Sequence, residues 1–193
     1  MIDTLLQTIE KAVLVSQDEK ELIGRLFREK IYSKGDYFLK EDDVCRQVGF
    51  IISGVMRYYI NNDGEEKTYG FAKEFDFVCN NESFIPQKPS RQIIQALEDC
   101  RLLVISYADL QIFYTTLKNG ERYGRMVIEQ VFVQTLQGLN SFYTDTPELR
   151  YEKLVKDYPD LLQRIPQYYI ASFVGVKPQS LSRIRKRNIR GRD

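Results

Sequence analysis

The chain has 193 residues, with 28 Lys plus Arg against 27 Asp plus Glu, three Cys, 13 Tyr, 11 Phe and neither His nor Trp. With 43% hydrophobic residues it can bury one or two real cores, which excludes a disordered or fibrous chain. The missing His removes the commonest general base, the commonest metal ligand and the Ser-His and Cys-His nucleophile pairs, so an enzyme is not expected, nor a metal or cofactor. Cys45, Cys79 and Cys100 show no CxxC spacing, so one chain cannot assemble a four-thiolate cluster or an all-cysteine zinc site. Scattered thiols in odd number suit a reducing, cytoplasmic setting. The start, Met1-Ile2-Asp3-Thr4, has no positive segment ahead of an apolar run. Nor does any apolar stretch approach the ~18 residues that span a bilayer, so neither secretion nor membrane insertion is expected.

The net charge of +1 hides an asymmetry. From Lys177 to Asp193 seven basic residues face one acidic residue, a local +6, and the other 176 residues carry 21 basic and 26 acidic side chains, or −5. A basic end on an acidic body points to a local polyanion-binding site.

In chain order, Leu5, Leu6 and Ile9 share one helical face, and Ser16-Gln17-Asp18-Glu19 has capping-box spacing ahead of Leu22, Ile23, Leu26 and Phe27. From about Ile31 to Ile105 the pattern changes to short β-rich runs separated by turn residues. These include Val48 to Ile52, the Ser53-Gly54 turn, Val55 to Ile60, the Asn61-Asn62-Asp63-Gly64 turn, and Ile93-Ile94 through Ile105. Strands so short and closely spaced predict a sandwich or barrel-like roll. Ser106 is the expected N-cap of a helix carrying Leu110, Phe113 and Leu117.

A long helix is predicted from about Glu121 to Tyr143. Ile128, Phe132, Thr135, Leu139 and Phe142 repeat at alternating four and three, while Met126, Val127, Val131, Val133 and Leu136 make other positions apolar as well. A helix apolar on more than one face needs two things to pack against. One reading is a core helix of a single domain; the favoured one packs one side on the roll and the four-three seam on a symmetry-related copy. Thr146 as N-cap and Pro147 at the first position open the next helix, whose apolar stripe runs to about Leu162. Pro166 starts a short helix, Gln167 to Val174, stopped by Gly175, and Pro178 starts the last one.

The segment Pro166 to Arg185 has helix-turn-helix spacing. Ala171 is small enough for two helices to cross closely, Gly175 can take the left-handed turn, and Leu181 with Ile184 faces inward. Stepping 100° per residue puts Gln179, Arg183, Lys186 and Arg187 on the outward face. Gln and Arg can bond base edges, whereas Lys177, Lys186 and Arg187 suit phosphates. Gln167, Ser180 and Ser182 complete the candidate DNA-binding set. A solvated basic helix closing a helical bundle is the plainer reading, but a small residue, a turn glycine, an inward apolar pair and a basic outer face coincide.

At this point the sequence resembles the cyclic-AMP receptor and fumarate-nitrate regulator (CRP/FNR) family of bacterial transcription factors. The resemblance rests on the strand Val48 to Tyr59 with its Ile51-Ile52-Ser53-Gly54 turn, the Asp63-Gly64-Glu65 hairpin, the strand Ala96 to Ile105, the long helix, and the ending Leu181-Ser182-Arg183-Ile184. It implies an α+β chain in three parts. Residues 1–119 form a cyclic-nucleotide-binding-like β jelly roll with N-terminal helices, 120–144 a dimerisation helix, and 145–193 a helix-turn-helix DNA-binding domain whose wing is short or absent. Implied partners are double-stranded DNA with a palindromic operator, a second copy of the chain, RNA polymerase and an unknown small-molecule effector.

Departures from the family pattern matter as much. Members that bind cyclic AMP carry Gly-Glu-Leu after a Phe, then Arg-Ser ten residues on, with Glu on the ribose hydroxyl and Arg on the phosphate. Reading on from Phe77 without a gap, this chain offers Cys79, Asn80 and Asn81, then Ser90-Arg91. Arg91 is one position out of register on a strand, so cyclic AMP is not expected to bind, and Glu82 with Arg91 is expected to make only a solvated ion pair. The candidate effector pocket is Phe77, Cys79, Asn80, Asn81, Ser90, Arg91 and Thr135. The oxygen-sensing branch needs four Cys and the haem-sensing branch needs His, and neither fits. Pro178-Gln179 stands where Arg-Glu is common, so half-site preference should differ, and Arg190 and Arg192 are expected as phosphate contacts in place of a wing. The alternative to a DNA-binding regulator is a ligand-binding or protein-interaction module whose basic end contacts an acidic partner. A cupin-type metal enzyme is disfavoured because such sites rely on His.

Overall fold

In this computed structural model, residues 1–190 are described, with the backbone alone for 188–190. Helix α1 (Ile2–Glu10) buries Leu5 and Ile9, and α2 (Gln17–Leu26) buries Ile23 and Leu26. The expected capping box opens α2: the Glu19 amide donates to Ser16 Oγ at 3.3 Å and the Ser16 amide to Glu19 Oε2 at 2.7 Å. Two backbone donors that the first helical turn leaves unsatisfied are thereby paired.

Eight strands follow: β1 (Arg28–Tyr32), β2 (Tyr37–Leu39), β3 (Gln47–Ser53), β4 (Met56–Asn62), β5 (Glu65–Ala72), β6 (Phe77–Val78), β7 (Gln92–Ala96) and β8 (Cys100–Ser106), with α3 (Asn81–Phe84) between β6 and β7. They form two four-stranded sheets, ordered β1-β8-β3-β6 and β2-β7-β4-β5. At the β4–β5 turn Asp63 and Gly64 both have positive φ (52° and 84°), the pairing that matches a two-residue hairpin to the twist of its strands.

The Ala96 to Ile105 run is not one strand. It breaks at Leu97-Glu98-Asp99, because β7 and β8 lie in different sheets and the chain must cross between them. The crossing is tied down by the Leu97 amide on the Val55 carbonyl (2.8 Å) and the Lys34 amide on Asp99 Oδ1 (2.8 Å). Gly54, at φ 104°, sits against this crossing, where a Cβ would lie 2.8 Å from the Asp99 carbonyl oxygen.

Strand β8 is buried on both faces. Cys100 and Leu102 join Tyr32, Phe38, Ile51, Met56, Val78, Phe84 and Ile94 in the interior cluster, whereas Leu103 and Ile105 join Leu5, Ile9, Ile23, Phe50, Phe113 and Tyr123 in a second cluster under the helices. That double burial explains the unbroken apolar run Leu102-Leu103-Val104-Ile105. The second cluster also receives Met126 and Val127.

The remaining helices are α4 (Tyr107–Thr116), α5 (Gly120–Thr144), α6 (Pro147–Asp157), α7 (Leu161–Arg164), α8 (Gln167–Val174) and α9 (Pro178–Arg190). Ser106 caps α4, and Thr146 caps α6 with Pro147 in the first turn. The helix expected to reach Leu162 instead ends at Asp157, because Pro159 follows with no amide hydrogen to continue it; Leu161 and Leu162 belong to α7. The chain divides into two compact units, Met1–Tyr58 with Phe71–Val131 and Tyr59–Gly70 with Phe132–Asp193. Among the described residues, no helix is long and apolar enough to cross a membrane.

Candidate effector cassette and nucleic-acid interface

In the first unit, Asn80 ends the extended stretch after β6 and caps α3, its Oδ1 accepting from the amides of Glu82 (3.0 Å) and Ser83 (3.4 Å). Its Nδ2 donates to Ser90 Oγ at 2.5 Å. The Ser90 hydroxyl in turn donates to the Gln92 carbonyl and accepts from the Gln92 amide, both at 2.9 Å. Asn80 and Ser90 are 4% and 3% exposed, so both polar groups are satisfied by each other and by backbone rather than offered outward.

The other candidate pocket residues of the first unit take no part in this bond network. Arg91 is exposed, and Glu82 takes a bond from the Gln92 side-chain amide at 3.2 Å rather than pairing with Arg91. Phe77 points to the helices, its ring 5.1 Å from Phe50 and 6.5 Å from Tyr123. Strand alternation accounts for this, since the next residue, Val78, takes the interior side. Cys79 packs against the interior cluster, Asn81 is half-buried as the first residue of α3, and Thr135 is exposed on α5 in the second unit.

Sequence reasoning passed over Cys45, whose sulfur lies 3.9 Å from that of Cys79. The hydrogen bond with Cys79 holds the Cys45 thiol down to about 7, while the same bond and then burial push Cys79 up. No spacing rule could have paired residues 34 positions apart.

In the second unit, α8 ends in a left-handed Gly175 (φ 79°). The Val176 amide reaches the Ala171 carbonyl (2.9 Å) and the Gly175 amide the Ser172 carbonyl (3.1 Å), a pattern that turns the chain sharply into α9. Ala171 is fully buried, and Leu181 and Ile184 are 1% and 3% exposed. Lys177, Gln179, Ser182, Arg183, Lys186 and Arg187 are exposed, and Ser180 is half-buried. Gln167 is half-buried too, its Oε1 accepting from Arg185 Nη1 at 2.6 Å, which joins the start of α8 to the outer face of α9. Arg187 lies 3.5 Å from the Glu148 carboxylate on α6. Arg192 and the Arg190 side chain lie outside the described residues.

A second overlooked residue holds this unit together. Arg150 on α6 donates through Nε (3.0 Å) and Nη2 (2.8 Å) to the Val174 carbonyl, and through Nη1 to the carbonyls of Asp145 (2.7 Å), Phe142 (3.3 Å) and Ser141 (3.5 Å). It also lies over the Phe142 ring, 5.7 Å from the centroid. One guanidinium thus serves the carbonyl ends of α5 and α8, where a cation is also favoured by both helix dipoles. On α5, Ile128, Phe132, Leu136, Leu139 and Phe142 are all exposed large apolar residues.

Three comparisons bear on this arrangement. The cyclic nucleotide-binding domain family matches residues 29–116. No curated protein matches. Among solved structures, a cyclic nucleotide-binding domain containing protein from Listeria monocytogenes superposes with TM-score 0.70 at 14% identity, covering 98% of this chain and 91% of that one. A CRP/FNR-family putative transcriptional regulator from Eubacterium rectale gives TM-score 0.68 at 18% identity, over 92% and 85%. The c-di-GMP responsive global regulator CLP of Xanthomonas campestris gives 0.64 at 17%, over 89% and 90%. Residues 29–116 thus match the cyclic nucleotide-binding domain family, within a chain that has the fold of CRP/FNR-type regulators.

Proposed function

We propose that the protein is a homodimeric, sequence-specific DNA-binding transcriptional regulator whose roll senses something other than cyclic AMP. One observation carries the reading: α8 and α9 are joined by a glycine turn, with an apolar pair turned inward and Gln179, Arg183, Lys186 and Arg187 exposed. In a helix-turn-helix the second helix lies in the major groove with its N-terminal residues on base edges, which assigns Gln179 and Arg183 to bases. Lys177, Lys186 and Arg187 then lie on phosphates, with Arg187 exchanging Glu148 for the DNA backbone, and Ser180 and Ser182 flank the reading pair. Gln167 acts by fixing Arg185 and the angle between α8 and α9. The exposed apolar residues of α5 supply the dimer contact, which sets two half-sites about 34 Å apart.

Cyclic AMP is disfavoured because Asn80 and Ser90 stand at the ribose and phosphate positions of the family pattern, bonded to each other, with no cation between them. Binding-site selection from random duplexes, repeated at two salt concentrations, tests the assignment. A palindromic consensus whose affinity survives random competitor DNA is expected. Retention on any polyanion with no sequence preference is the result that rejects it in favour of an acidic-partner module.

A further inference from the structure

The Asn80–Ser90 cassette has a neighbour that the DNA-binding reading does not use. Cys45, in the loop before β3, and Cys79, directly after β6, bring their sulfurs to 3.9 Å inside one unit. Cys100 is held apart, its sulfur bonded to the carbonyls of Glu98 (3.2 Å) and Val55 (3.5 Å). A metal does not explain the pair: among the described residues no three His, Cys, Asp or Glu side chains come together to hold one.

We propose that Cys45 and Cys79 are a peroxide-oxidised dithiol that closes to a reversible disulfide at the entry to α3. The inference goes beyond the DNA-binding reading and stands or falls without it.

The chemistry balances with hydrogen peroxide as the oxidant. The Cys45 thiolate attacks one peroxide oxygen, the O–O bond breaks, and a sulfenic acid forms as hydroxide leaves and takes a proton. Cys79 then gives up its proton and attacks the Cys45 sulfur, forming the S–S bond, breaking the S–O bond and releasing water. Two thiols lose two electrons and peroxide becomes two waters. A lowered Cys45 thiol supplies the thiolate near neutral pH. Because Cys45 is 2% exposed, the oxidant is a small neutral one.

Closing the pair to about 2 Å pulls on α3 from both sides. Cys79 is covalently next to Asn80, the α3 cap. The Cys45 amide donates to Ser83 Oγ at 2.9 Å, and its carbonyl accepts from Gln87 Nε2 at 3.2 Å. Oxidation therefore acts on the segment that carries the Asn80–Ser90 bond.

Trypsin cuts after Lys40, Arg46, Lys73, Arg91 and Arg101, so the three cysteines fall on separate peptides. Reduced full-length protein, treated with hydrogen peroxide, then denatured, blocked with N-ethylmaleimide and digested without reductant, should yield the Cys45 and Cys79 peptides joined and two hydrogens lighter than their sum. The pair should separate with dithiothreitol, and Cys100 should carry the maleimide. Cys79→Ser should abolish the joined peptide and let Cys45 proceed to the sulfinic acid. Three alkylated thiols in the treated wild type, a bridge that includes Cys100, or Cys45–Cys45 and Cys79–Cys79 bridges between chains each overturn the proposal. The wild-type map decides the question even if the variant fails to fold.

Discussion

Replacing Phe132 and Leu139 together by Glu tests the proposed seam on α5. Phe132 is 62% and Leu139 51% exposed in the single chain, so a partner that covers them removes roughly half to two thirds of each side chain from water. Full burial of such side chains is worth about 1.5–3 kcal/mol, which scales to about 1–2 kcal/mol for each here. Two-fold symmetry doubles the effect, giving about 4–8 kcal/mol across the interface before the cost of burying carboxylates against their symmetry mates is counted. Since 1.4 kcal/mol is tenfold in Kd, dimer affinity should fall at least a thousandfold. Sedimentation or light scattering over a micromolar concentration series should report dimers for the wild type and monomers for the double variant. Gln134→Glu, exposed on the same helix but about 160° from Phe132, should leave the dimer intact. A double variant that dimerises with wild-type affinity, or a wild type that stays monomeric, refutes the seam.

Three further outcomes are expected. Titration calorimetry with cyclic AMP should show no saturable heat at micromolar ligand, and saturable binding there would mean that the Asn80–Ser90 bond opens to admit a phosphate. Arg183→Ala should cost about 1–3 kcal/mol at the selected operator and relax one base position per half-site, while Lys186→Ala should weaken all sequences alike and lower the salt slope by about one unit; equal losses on operator and random DNA for Arg183→Ala would make it a phosphate clamp. Gly175→Ala places a Cβ on a residue at φ 79° and 3.1 Å from Arg150 Nη2, so it should destabilise the protein by about 1–2 kcal/mol in chemical denaturation; an unchanged midpoint contradicts the strained-turn account.

The elements with local chemical signatures were legible in the sequence. Ser16 with Glu19, Thr146 with Pro147, and the Gly175 stop each rest on residues a few positions apart, and each is found where the spacing places it. The break at Leu97-Glu98-Asp99 was not legible, because the decision to change sheets depends on where β7 and β8 pair, not on their own residues. Pro159 was a readable signal that the apolar stripe through Leu161 and Leu162 outweighed. At the cassette, the missing Glu and Arg could be read directly. That Asn80 and Ser90 satisfy each other could not, since it joins residues ten apart across α3. The Cys45–Cys79 approach and the Arg150 bonds are long-range in the same sense.

The acceptors around Arg150 are all backbone carbonyls, at residues 141, 142, 145 and 174. A carbonyl is present whatever the side chain, so the joint between the end of α5 and the end of α8 asks almost nothing of the sequence on its accepting side. The bonds themselves should therefore survive side-chain replacement at 141, 142 and 174, whatever packing those side chains supply, but not the loss of Arg150, and Gly175 must stay small because its missing Cβ leaves room for the guanidinium. The outer face of α9 can thus be rewritten while one side chain keeps the end of α5 tied to the end of α8.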